Sequence, residues 1–100
     1  MTDRQREYVG KVREILLRRI PPGTAEVWLF GSAARSEMRQ SSDIDVGILP
    51  LNGIDDGVLA RLREELEEST IPYSVDVVDM RAIGAEFRRE IVSEGLKWSA

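Results

Sequence analysis

The stretch Ser41-Ser42-Asp43-Ile44-Asp45-Val46 places two carboxylates one residue apart in a run that is otherwise apolar through Ile48 and Leu49. On a strand, residues two apart share a face, so Asp43 and Asp45 would stand side by side and repel unless a cation lies between them. Ten residues separate Asp43 from Gly31 and Ser32, which close the apolar run AEVWLF. A glycine there lets the backbone approach a phosphate closely, and a serine hydroxyl with the N–H groups opening a short helix can donate to one. Arg35, within reach on the same turn, could neutralise a phosphate that is not transferred. A third acid, Asp76, lies in VDVVD with Val75 and Val77 on the opposite face. Three converging carboxylates push one another's pKa upward unless a cation relieves them. Two magnesium ions about 3.5–4 Å apart, bridged by such carboxylates, support in-line attack on phosphorus.

Composition narrows the chemistry. The chain has no cysteine and no histidine, which removes thiolate metal sites, disulfides and the commonest general base. Any metal must take oxygen ligands, which favours magnesium, manganese or calcium. With 14 basic and 18 acidic residues the formal charge is −4, so direct nucleic-acid binding through phosphate contacts is not expected. No segment approaches the roughly 20 apolar residues of a membrane span, and MTDRQREYVGKVREILLRRI is charged from residue 3. The expectation is a cytoplasmic protein without membrane contact. With no repeat, low-complexity tract or linker, residues 1–100 read as a single domain.

The elements that must position the acids follow from periodicity. Thr2 and Gln5 have the form of a capping box, and Tyr8, Val9, Val12, Ile15, Leu16 and Ile20 recur at helical spacing until Pro21, Pro22 and Gly23 end the helix. A strand is predicted over 26–30, a short helical turn over 33–39, and a second strand over 43–49, closed by Pro50 and an Asn52-Gly53 turn. A second full helix spans about 55–68, with Val58, Leu59, Leu62 and Leu66 inward, and a third strand covers 73–78. The last helix runs from about 81 to 93 on Ile83, Phe87 and Ile91, and Gly95 stops it.

The fold class is therefore α/β (α+β), in the order αβαβαβα, with a small mixed sheet whose helices cover one face. Strands one and two, joined by a short turn, pack antiparallel. Strands two and three, joined through a helix, run parallel. That arrangement brings Asp43, Asp45 and Asp76 onto one face beside Gly31 and Ser32. Singly, each acid has a plainer reading: Asp43 in a turn, Asp45 and Asp76 facing solvent. Asp79 reads as the N-cap of the last helix. Trp28 and Phe30 lie either on the open carboxylate face or in the core.

FGSAARSEMRQSSDIDVGI resembles the signature of the DNA polymerase beta-like nucleotidyltransferases: Gly-Ser, ten residues, two aspartates separated by one, and a third on a later strand. SSDIDVGIL and VDVVD are most similar to the minimal nucleotidyltransferases, the MNT family, antitoxins of HEPN/MNT toxin–antitoxin modules. The resemblance implies a polymerase-beta-like nucleotidyltransferase fold that transfers AMP from ATP, with pyrophosphate leaving, to a tyrosine of a HEPN-domain toxin. It implies Asp43, Asp45 and Asp76 as catalytic residues and magnesium ligands, and Gly31, Ser32 and Arg35 as the nucleotide-binding residues. Ser36 stands where the GSxARG pattern has glycine, and Ala33 where arginine is frequent. Two alternatives accompany this expectation: an antitoxin that neutralises its partner by binding alone, and a nucleotidyltransferase subunit acting on RNA or a small molecule with a separate acceptor-binding subunit.

Overall fold

A computed structural model of the protein describes residues 1–52 and 54–99. Helix α1 spans Asp3–Arg19 and opens on the expected capping box: Thr2 accepts from the Gln5 N–H, and the Gln5 side chain accepts from the Thr2 N–H. Two of the otherwise orphaned groups at the helix start are thereby satisfied. Ile20 ends the helix just before Pro21. Strand β1 is Ala25–Phe30, followed directly by α2, the single turn Gly31–Ala34. Strand β2 is Ile44–Pro50, α3 is Asp56–Glu68 and β3 is Val75–Asp79. Helix α4 covers Ala85–Glu94, and a two-residue strand β4, Leu96–Lys97, completes the chain of elements. The Asn52-Gly53 turn involves Gly53, which lies outside the described residues.

The sheet order is β3-β2-β1-β4. As predicted, β1 and β2 are antiparallel, with Phe30 opposite Asp45, and β2 and β3 are parallel, with Asp45 opposite Asp76. Strand β4 was not legible in the sequence, because a two-residue strand has no alternation to read; it pairs antiparallel with β1, and the Trp98 N–H extends the edge by donating to the Val27 carbonyl at 2.7 Å.

The strand alternation divides the sheet into two faces. Val27, Leu29, Ile44, Val46, Ile48 and Val77 form the main core with Val12 and Leu16 of α1 and Leu62 of α3. Full burial of such side chains stabilises the fold by about 1.5–3 kcal/mol each. Arg19 Nε bonds Glu65 Oε2 at 3.1 Å and ties α1 to α3 at the surface.

Helix α4 departs from the arrangement with helices on one face only. Its Ile91 packs with Trp28 and Met80 in a second cluster, and Gly47 makes room for that packing, since a Cβ there would lie 2.9 Å from Met80 Sδ and 3.7 Å from Ile91 Cγ2. Gly47 shares the face of Asp45 two residues away, so α4 covers part of the carboxylate face. The helix starts later than predicted, and Asp79 is not its N-cap. Asp79 ends β3, its Oδ1 accepting the Arg81 N–H at 3.0 Å in a turn, and Gly84 takes the cap position. An aspartate can satisfy an N–H two residues on as readily as a helix start, and the sequence around it does not distinguish the two.

Candidate active site

Asp45 is flanked by the sheet on two sides. It sits on β2 between Phe30 of β1 and Asp76 of β3. It is half-buried, whereas Asp43, just before the first residue of β2, and Asp76 are exposed. Burial, then the negative charges of Asp76 and Asp43, raise the Asp45 pKa above the ordinary aspartate value, while Arg35 pulls it back. Asp43, Asp76 and Arg35 therefore all act on Asp45.

Gly31 shows how the chain makes space for that carboxylate. Its φ is +70°, and a Cβ at this position would collide with Asp45 Oδ2 and lie 3.1 Å from Asp45 Cγ. Glycine is the residue that tolerates both the left-handed backbone and the close approach. Ser32 follows in the same turn and is half-buried; its carbonyl accepts the Glu37 N–H at 2.8 Å. Arg35 caps α2 and is engaged by two acids, Glu37 Oε2 at 3.1 Å and Glu94 Oε2 at 3.9 Å. Neither acid was singled out in the sequence. Glu94 reaches the site only because α4 folds over it, and no local pattern carries that information.

The two departures from the glycine-rich pattern have distinct structural settings. Ser36 adopts φ +56°, the left-handed region where a side chain costs roughly 1–2 kcal/mol, so the turn asks for the glycine this chain lacks. Ala33 is buried in the main core, and an arginine there would have to turn out of it. Trp28 is buried beneath α4, its Nε1 donating to Glu26 Oε1 at 3.1 Å, and Phe30 meets Phe87 edge-on at 5.8 Å. Both aromatic rings thus lie on the carboxylate face, yet they serve the packing of α4.

The donor set suits a hard divalent cation: every candidate ligand is a carboxylate oxygen, and the Asp45 charge, disfavoured first by burial and then by Asp76 and Asp43, is one that such a cation would stabilise. Among the described residues, no group of three or more acidic, histidine or cysteine side chains is already gathered closely enough to hold a metal ion. Bare carboxylates repel one another in this way. Among the same residues, no helix is long and apolar enough to cross a membrane.

Comparison with known proteins agrees with this geometry. Residues 11–97 match the family described as "Polymerase beta, Nucleotidyltransferase". The chain is 33% identical over 89 residues to the Haemophilus influenzae protein named "Probable protein adenylyltransferase MntA", covering 89% of this chain and 76% of that one. It superposes on a chain of a toxin–antitoxin complex solved with AMP-PNP with a TM-score of 0.69 and 27% identity, over 89% of this chain and 70% of that one. A complex of the tri-AMPylated Shewanella oneidensis HEPN toxin with its MNT antitoxin gives a TM-score of 0.65 and 25% identity, over 94% and 71% of the two chains. With the motif spacing, the sheet register and 87 matched residues in agreement, the chain belongs to the polymerase beta nucleotidyltransferase family.

Proposed function

We propose that the protein is a magnesium-dependent protein adenylyltransferase that moves AMP from ATP to a hydroxyl, of tyrosine in particular, on a HEPN-domain toxin, and so acts as its antitoxin. The observation that carries this reading is the register that sets Asp45 opposite Asp76 with Gly31 packed against the Asp45 carboxylate. The relatives named for protein adenylylation and for HEPN toxin complexes support the substrate and the partner.

Asp43, Asp45 and Asp76 are the residues that would hold magnesium, which when bound supplies charge neutralisation along the triphosphate. Gly31 and Ser32 seat the β- and γ-phosphates, and Arg35 leaves Glu37 and Glu94 to pair with a phosphate oxygen. Asp76 orients the acceptor hydroxyl and takes its proton. The hydroxyl oxygen then bonds the α-phosphorus, the bond from that phosphorus to the bridging oxygen breaks, and pyrophosphate leaves. Catalysis here is mostly alignment and charge compensation.

The test uses purified protein with magnesium, a lysate of the producing cell, and ATP labelled at either the α or the γ phosphate. Label entering one protein band from the α position only, and lost with Asp43→Asn or Asp45→Asn, supports the proposal. Absence of acid-dependent label when a helical partner co-purifies favours the second reading, neutralisation by binding alone. That reading draws on the strained Ser36.

A further inference from the structure

Helix α4 does not close over the whole carboxylate face. A cleft of about 180 Å³ is lined by Gly31 and Arg35 from the phosphate turn, by Phe30 from β1, and by Phe87, Glu90 and Ile91 among others from α4. Packing of α4 on the sheet rests on Ile91, Met80 and Trp28, which are 1%, 0% and 8% exposed. Phe87 is 39% exposed, although its ring is anchored edge-on against Phe30. Packing does not account for that exposure. A large aromatic ring held in place yet open to a cleft beside a phosphate turn is suited to a flat, uncharged ligand group.

From this we infer that the α4 cleft holds the base of the bound nucleotide, stacked on Phe87, and that this contact selects purine over pyrimidine triphosphates. The inference rests on the adenylyltransferase reading and places the part of the nucleotide that Asp43, Asp45, Asp76, Gly31, Ser32 and Arg35 leave unassigned.

Two further observations support it. In-line transfer puts the acceptor hydroxyl and the leaving pyrophosphate on opposite sides of the α-phosphorus. Asp76 takes the first side and the turn at Gly31 and Ser32 the second, across the row in which Asp76, Asp45 and Phe30 stand opposite one another. The nucleoside is attached through a third oxygen, so it leaves the phosphorus at a steep angle to that row. Along the strands, Asp43 lies in one direction, just before β2. In the other direction, past Phe30, Trp28 stands opposite Gly47 beneath α4, and this is the side that offers aromatic surface. Charge orients the ligand in the same sense. Glu90 and Glu94 line the cleft and repel phosphate, while the cation there, Arg35, belongs to the phosphate turn and is 3.9 Å from Glu94. The cleft thus rejects the charged end of a nucleotide and admits the uncharged one. Aromatic side chains stack on any base, and the two fused rings of a purine place more atoms in contact than one pyrimidine ring does.

The experiment measures calorimetric binding to the full chain in magnesium, with ATP, UTP and inorganic tripolyphosphate as probes. Tripolyphosphate carries the phosphate contacts alone, and UTP adds the ribose and a smaller base. ATP is expected to bind at least about fivefold more tightly than tripolyphosphate, the lower end for one base stacked on an aromatic ring, with UTP between the two. Phe87→Leu keeps an apolar side chain against Phe30 and should lose at least about fivefold in ATP affinity, whereas Phe87→Trp should retain it. Tripolyphosphate should bind all three proteins alike. Equal binding of ATP and tripolyphosphate by the parent overturns the base cleft, and so does an ATP preference that Phe87→Leu leaves unchanged; the adenylyltransferase reading survives both results. UTP binding as tightly as ATP overturns the purine selection. If the Phe87 variants lose tripolyphosphate along with ATP, Phe87 serves packing alone and the proposal fails. A parent that binds none of the three probes sinks the adenylyltransferase reading itself.

Discussion

Gly31 and Asp45 occupy one another's space: the Asp45 carboxylate sits where a Cβ of residue 31 would be, and Gly31 adopts φ +70° to allow it. Gly31→Ala therefore has two separate costs. The left-handed backbone alone is worth about 1–2 kcal/mol, and the displaced carboxylate leaves its place opposite Asp76. The expected result is a lower Tm together with loss of α-phosphate transfer. Unchanged transfer would show that the carboxylate is not where the chemistry happens.

The Asp45 charge is unfavourable in the folded chain, through burial and through Asp76 and Asp43. Asp45→Asn removes that repulsion, so in metal-free buffer near neutral pH the variant should melt at a higher temperature than the parent. Added magnesium should raise the parent's Tm by mass action and leave the variant's nearly unchanged. Transfer should fall by at least about 100-fold. A variant that melts lower than the parent without metal would contradict the electrostatic account.

Ser36 tests the cost of the missing glycine. At φ +56°, Ser36→Gly should be at least as stable as the parent, whereas Ser36→Val should lose about 1–2 kcal/mol. Urea unfolding of the pair measures both. If the two variants have equal stability, the strain assigned to this turn is wrong.

Asp79 gives a pH signature. Its carboxyl lies below the ordinary aspartate range because Arg81 hydrogen-bonds it, Nη2 to Oδ2 at 2.9 Å, with the Arg81 N–H as a further donor. A carboxyl more acidic in the folded state than unfolded contributes stability above its unfolded pKa of about 3.9, and that contribution is lost as pH falls through the folded value. Asp79→Asn should therefore be less stable than the parent at pH 7 and converge with it at strongly acid pH. A gap that is constant across this range would mean the pair contributes no charge-dependent stability.

What the sequence determined by itself was local. Thr2 with Gln5, the apolar stripe of α1, and the alternation around Asp45 and Asp76 each depend on residues a few positions apart, so helix, strand and the shared face of those two acids were legible, as was the pairing that short and helical connections impose. Only the tertiary structure decided how distant parts meet. It put α4 over part of the carboxylate face through Ile91, Trp28 and Met80, and brought Glu94 to Arg35. It made Asp79 a turn residue rather than a helix cap, paired the two residues of β4 with β1, and forced Ser36 into a backbone region suited to glycine. None of these leaves a periodic trace in the sequence: the α4, Glu94 and β4 contacts join segments whose separation along the chain carries no signal of their proximity, and the turns at Asp79 and Ser36, though local, have no repeat to read.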